Sequence, residues 1–217
     1  MFELPLFPLN TVLFPGMPLP LHIFEERYKL MISQCLQGER IFGVVLIKHG
    51  SEALGPLAEP HLVGCTARII ELETLDEGRL QIDTIGEQRF QVLRLKNSLP
   101  YLVGEVDQMP IEAGSPEELK PGAERLTTKV RQYIDLLNKI ENVELDSGQI
   151  PQDPLALAYF ASALLQMPPT DKQKLLESGR GIDLINYTNQ FYLREIAFLR
   201  AIIERGQDQS KTPVSQN

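Results

Sequence analysis

Five prolines in the first twenty residues, Pro5, Pro8, Pro15, Pro18 and Pro20, decide how this chain can begin to fold. Each fixes φ and removes a backbone donor, so the apolar run from Leu4 to Phe24 cannot form a continuous helix before about Leu21. A helical membrane span is excluded on that ground. A secretory leader is not expected either, because Glu3 and no basic residue precedes the run and no small-residue cleavage site follows it. The stretch reads as mature, folded protein. Its extended runs are Phe2 to Phe7 and Asn10 to Phe14, with Pro15-Gly16 as a turn before Met17. From Phe24 the period changes, and Phe24, Tyr28, Met31, Ile32, Cys35 and Leu36 recur at helical spacing until Gly38.

Strand patterns follow. Arg40 to Ile47 is short, continuous and rich in β-branched residues, as a buried strand would be. Lys48 to Pro60 is expected to be a surface loop, and Leu62 to Glu73 a strand. Asp76-Glu77-Gly78 is a hairpin turn leading into Arg79 to Ile85, after which Arg89 to Lys96 and Tyr101 to Val106 complete the series. Strands this short and this closely spaced predict an antiparallel barrel or curled sheet over residues 1–110.

After Pro110 the pattern becomes helical. Ser115-Pro116-Glu117-Glu118 is a capping box, with Pro121 expected to interrupt the helix before a stripe of Ala123, Leu126, Val130, Tyr133, Leu137 and Ile140. Leu155 to Met167 is apolar nearly all round and should sit inside a bundle. Thr170 and Gln173 suggest a second capping box, for a short helix ended by Gly179; a last helix runs from Ile182 to about Arg205. The expected organisation is α+β: a barrel with an inserted helix (1–110), a C-terminal helical bundle (111–205) and a disordered tail (206–217).

The segments L-P-L-F-P-L (Leu4 to Leu9), L-F-P-G-M-P-L-P-L (Leu13 to Leu21) and I-F-E-E-R-Y (Ile23 to Tyr28) resemble the opening of the Lon protease N-terminal domain, a family that also supplies the Lon-like domain of cereblon. V-G-C-T-A (Val63 to Ala67), G-E-Q-R-F (Gly86 to Phe90) and P-Y-L-V-G-E-V (Pro100 to Val106) follow in the order that family has them. The resemblance implies that the barrel is PUA-like. It also implies that Pro15, Gly16, Phe24, Glu25, Arg27, Tyr28, Gly64, Ala67, Gly86, Arg89 and Phe90 determine the fold. An ion pair between Arg89 and Glu25 is expected to pin the inserted helix to the barrel.

No G-x-x-x-x-G-K-[ST] phosphate loop occurs and no Ser-Lys peptidase module is identifiable, so no enzymatic activity is expected. His22, His49 and His61 are the only imidazoles, and His61 with Cys65 lacks the further ligands of a structural zinc site; neither metal nor cofactor is expected. Two cysteines give no disulfide framework and suit the cytoplasm. The net charge is −8, with nine basic against fourteen acidic residues in 1–110 and twelve against fifteen in 111–217, so neither half offers phosphate backbones a basic face. The resemblance therefore implies a substrate-recognition module for unfolded or tagged polypeptides, or an adaptor for a separate protease or chaperone. RNA binding by a PUA-like barrel and small-molecule sensing remain as alternatives. The candidate polypeptide-binding residues are Met17, Leu19, Leu21, Lys48 and His49.

Overall fold

The structure, a computed structural model, describes residues 1–50, 58–141 and 150–210. Six strands form one sheet: β1 (Phe2–Leu9), β2 (Pro18–Ile23), β3 (Ile41–His49), β4 (Glu59–Thr74), β5 (Leu80–Lys96) and β6 (Leu102–Gln108). Their order is β2-β5-β4-β3-β1-β6, and a further β5–β6 pairing closes five of them into a ring with β2 left on the edge. The sheet is mixed. β1 and β3 are parallel, Leu6 opposite Gly43, because β2 and helix α1 (Glu26–Gln37) lie between them as a crossover.

The two strands expected at Arg79–Ile85 and Arg89–Lys96 are one 17-residue strand, β5, which bends at bulges instead of breaking. Beside the first bulge the ladder passes from Cys65 opposite Arg89 to Ala67 opposite Gly86, so Thr66 faces two residues. Its hydroxyl accepts the Gln88 N–H at 3.0 Å and donates to the Gln88 carbonyl at 3.3 Å, which satisfies the backbone the bulge frees. Gly86 sits where a side chain cannot go, since a Cβ there would lie 2.2 Å from the Phe14 carbonyl oxygen. That contact holds the Phe14-Pro15-Gly16-Met17 turn, in which Met17 N–H bonds Phe14 O at 3.0 Å and Gly16 takes φ +78°. Asn10 to Phe14, expected as a strand, is irregular and leads into this turn.

The core of the strand region has two parts. In one, α1 buries Tyr28, Met31, Ile32 and Cys35 against Phe7, Phe42 and Ala67; in the other, Leu4, Leu6, Phe90 and Val106 pack together. Phe24 and Leu36, expected on the buried stripe of α1, are exposed. Phe24 precedes the first helical residue and so does not share the helical period.

The chain divides into two compact units. One is Met1–Glu112 together with Ser162–Gly179; the other is Ala113–Ala161 with the chain from Arg180 onward. The first thus takes α4 (Pro169–Leu176) from the second half of the sequence. In the second unit, α2 (Pro116–Glu141) and α5 (Gly181–Ser210) run in the same direction, because Gly122 meets Asn189 and Tyr133 packs edge-on against Tyr192 at 5.2 Å. Helix α3 (Pro154–Leu164) is capped by Asp153, whose carboxylate accepts the Leu155 and Ala156 N–H groups.

Pro121 does not interrupt α2: the lost hydrogen bond falls near an exposed helix start, and the buried stripe from Leu119 to Leu137 carries the helix through. The expected Thr170–Gln173 capping box is absent; Pro168 precedes α4 without a side-chain cap, and Gln173 bonds elsewhere. Helix α5 continues through Gly206 to Ser210, past the expected start of the tail, while residues 211–217 lie outside the described residues. No described helix is long and apolar enough to cross a membrane.

Candidate functional site

β2 is an edge strand despite its prolines. It pairs with β5 from Pro18 opposite Ile85 to Ile23 opposite Leu80, although the expected extended runs end at Phe14. The parity explains it. Gly86 N–H bonds the Met17 carbonyl at 2.9 Å, so Met17, Leu19, Leu21 and Ile23 turn their backbone groups toward β5. Pro18 and Pro20 fall on the alternate positions, where the missing N–H would have faced outward.

Where β2 ends, Phe24 and Glu25 turn the chain into α1 with Glu25 as N-cap. A groove of about 150 Å³ lies at this corner, lined among others by Pro20, Leu21, Phe24 and Glu25. Its floor is aromatic: Phe7 and Tyr28 stack at 4.1 Å, and the Arg27 guanidinium lies 4.7 Å above the Tyr28 ring. Arg27 also pairs with Glu25 at 2.9 Å, and both side chains are mostly shielded. Phe24 stands at the rim with 50% of its surface in solvent, and Leu21 is half-buried beside it.

The sequence-expected binding residues do not converge. Met17 is partly buried against the core, whereas Leu19 is packed within it and offers almost no side-chain surface. Lys48 and His49 are strand residues at the end of β3, with Lys48 bonded to Glu59 at 3.2 Å. β2 is level with Ile69 of β4 through Thr84, and His49 is opposite Glu59, ten residues away, or about 30 Å along the strand. Of the loop expected between Lys48 and Pro60, residues 51–57 lie outside the described residues.

The expected Arg89–Glu25 ion pair is not formed. Glu25 is taken by Arg27, and Arg89, only 4% exposed, donates Nη1 to the carbonyls of Leu176 and Ser178 at 2.6 Å each. A guanidinium at a helix C-terminus satisfies carbonyls that have no helical partner. Gln173 adds a second tie from α4, giving Nε2 to the Val63 carbonyl at 3.0 Å. These ties were missed in the sequence; the available signal was an arginine at an inward position of a strand, which must find acceptors once buried. His61 Nδ1 lies 3.8 Å from Glu177, and Cys65 is wholly buried, its thiol pushed up to about 12 by desolvation. Among the described residues no group of three His, Cys, Asp or Glu side chains could hold a metal ion.

Residues 3–189 match the family model described as the ATP-dependent protease La (LON) substrate-binding domain. The chain is similar to Lon protease of Anaeromyxobacter dehalogenans and Lon protease 2 of Myxococcus xanthus, each 28% identical over 177 residues. Those alignments take in 81% of this chain and 21% of each relative, so the chain spans about a fifth of their length. Among solved structures, the Lon N-terminal domain protein from Xanthomonas campestris superposes with a TM-score of 0.63 at 26% identity, covering 86% of this chain and 96% of that one. The N-terminal domain of Mycobacterium avium complex Lon protease gives 0.64 at 18% identity over 88% and 98%, a likeness of fold.

Proposed function

Because the chain belongs to the LON substrate-binding domain family, we propose that it is a non-catalytic recognition module that binds unfolded or tagged polypeptides in the cytoplasm through the β2–α1 corner. The observation that carries this reading is Phe24, a half-exposed aromatic at the rim of an apolar groove floored by Phe7 and Tyr28. Large apolar side chains held in solvent next to a concave apolar surface mark sites of association. Pro18 and Pro20 leave the outer edge of β2 with too few donors to template another strand, so side chains and not strand addition would do the recognising. Phe24 and Leu21 are the residues assigned to it.

The test is binding of a reduced, carboxymethylated and fluorescein-labelled protein, followed by anisotropy. Covering the exposed half of Phe24 is worth about 1 kcal/mol, so Phe24→Ser should weaken binding by about fivefold. Raising salt from 50 to 500 mM should change affinity little, whereas an RNA ligand would lose orders of magnitude. An unchanged affinity in Phe24→Ser would remove the corner from consideration. A second reading, an adaptor that delivers polypeptides to a separate protease or chaperone, is favoured by α5, which exposes Tyr187, Leu193 and Phe198. Loss of a co-purifying protease in Phe198→Ser, with polypeptide binding intact, would support it.

A further inference from the structure

β1 is held unevenly along its length. From Leu6 to Leu9 it pairs with β3, whereas Phe2–Pro5 pairs with β6 and turns its other edge to a cleft of about 680 Å³. No strand lies beside that edge among the described residues. Leu4 anchors the segment by packing with Phe90 and Val106, but Phe2 is 42% exposed and Glu3 lies in solvent.

The register sets two carboxylates against each other here. Glu3 of β1 is directly opposite Glu105 of β6, a position in which like charges are unfavourable. One cation resolves the conflict: Lys96, on β5, gives its ammonium to Glu3 at 2.5 Å and to Glu105 at 2.6 Å. Arg94, also on β5, stands 3.7 Å from Glu105, so the charges alternate in sign across β5, β6 and β1. Among the described residues Glu3 pairs with Lys96 alone. The middle of this strip is partly shielded, the Glu105 side chain being 24% exposed. The hydrogen bond from Lys96 holds the Glu105 carboxyl below the usual carboxylate range, and the bonds to Glu105 and Glu3 raise the ammonium above its ordinary value. A separate, exposed tie joins the N-terminal ammonium to Asp107 at 3.3 Å.

We propose that Lys96 is a charge latch: it holds Phe2–Pro5 closed against β6, and without it this segment swings out and opens one wall of the cleft. The latch is independent of the Phe24 reading.

The experiment compares the full chain with Lys96→Met, which keeps the apolar stem and removes the charge, at about 20 mM salt. Amide exchange followed by NMR should quicken about fivefold at residues 3, 4 and 104–106, the scale of a strong exposed ion pair, and less than about twofold at Val44 and Val45 of β3. Cys35 lines the same cleft, so iodoacetamide should reach it about fivefold faster in the variant, whereas Cys65, wholly buried and outside the lining, stays protected. Adding Glu3→Gln to Lys96→Met removes the repulsion and should bring both readings back to within about twofold of the wild type. Salt at about 0.5 M should shrink the difference between Lys96→Met and the wild type, because charges are then screened beyond about 4 Å. Unchanged exchange in Lys96→Met, an acceleration that extends equally to β3, or no recovery with Glu3→Gln would each overturn the proposal.

Discussion

Replacing Arg89 by methionine keeps most of the apolar stem and deletes the guanidinium, which isolates what the hydrogen bonds contribute. Two carbonyls, Leu176 O and Ser178 O, then lose a charged donor at 2.6 Å in a place shielded from water. Leaving a buried acceptor unpaired costs about 1–3 kcal/mol, and removing a desolvated cation returns part of that, so a net loss of about 3 kcal/mol is expected. For a chain of this length that is a fall of about 6–12 °C in melting temperature by calorimetry. Hydrogen exchange should place the loss, with the amides around Ser178 and Glu177 exchanging much faster while those of α1 change little. A double-mutant cycle with Glu25→Gln separates the structure from the expected ion pair: the two substitutions should add, with coupling under about 0.5 kcal/mol. Coupling above 1 kcal/mol, or an Arg89→Met protein that melts with the wild type, would refute the assignment of Arg89 to the end of α4.

Gly86→Ala should lower the melting temperature by several degrees, since its Cβ would meet the Phe14 carbonyl oxygen at 2.2 Å; Gly38→Ala, whose nearest contact is 3.9 Å, is the control expected to be near neutral. Burial pushes the Cys35 thiol up to about 11 and the Cys65 thiol up to about 12, so iodoacetamide at pH 8 should label neither in the folded protein and both in urea, read by mass spectrometry. Burial also raises the Tyr192 phenol well above its ordinary value, and its hydroxyl donates to the Ala161 carbonyl at 3.0 Å. Folding therefore opposes its ionisation. The stability held by the neutral phenol is complete below about pH 10, the unfolded value, and is lost progressively as pH rises above it. Tyr192→Phe should flatten melting temperature against pH between 9 and 11.5, and an equal decline in the variant would count against this cause.

Features carried by local chemistry were legible in the sequence, whereas those carried by long-range pairing were not. The Pro15-Gly16 turn, the stripe of Tyr28, Met31, Ile32 and Cys35 and the cap at Ser115, whose hydroxyl accepts the Glu118 N–H at 3.2 Å, depend on neighbours a few residues away. The split of β5 into two expected strands failed because a bulge looks like a break: Gly86 and the polar Glu87-Gln88 resemble turn residues until Thr66, on another strand, is seen to satisfy them. Ile70 and Leu93, exposed among strand residues, have the same origin, for each is the extra residue at a register shift. In the candidate site, the prolines of β2 hide a strand that the expected extended runs, ending at Phe14, did not include. Only the register, set by Gly86 and Met17, shows that they occupy the positions where proline costs the ladder nothing.

The boundary near Pro110 shows most sharply what a change in periodicity can and cannot reveal. Helical spacing begins there, and a division by secondary structure would leave residues 1–110 as a self-sufficient barrel. The hydrogen bonds say otherwise. Without α4, the Arg89 guanidinium would lose the Leu176 and Ser178 carbonyls, and the Val63 carbonyl would lose the Gln173 amide. Three lost ties, two of them from a charged donor, together cost several kcal/mol, a large share of the stability of a small domain. The strands thus depend on a helix about 90 to 110 residues further along the chain, joined through contacts that no local pattern encodes. A division that respects them keeps Ser162–Gly179 with the strands, and a fragment meant to carry the β2–α1 corner must include that segment.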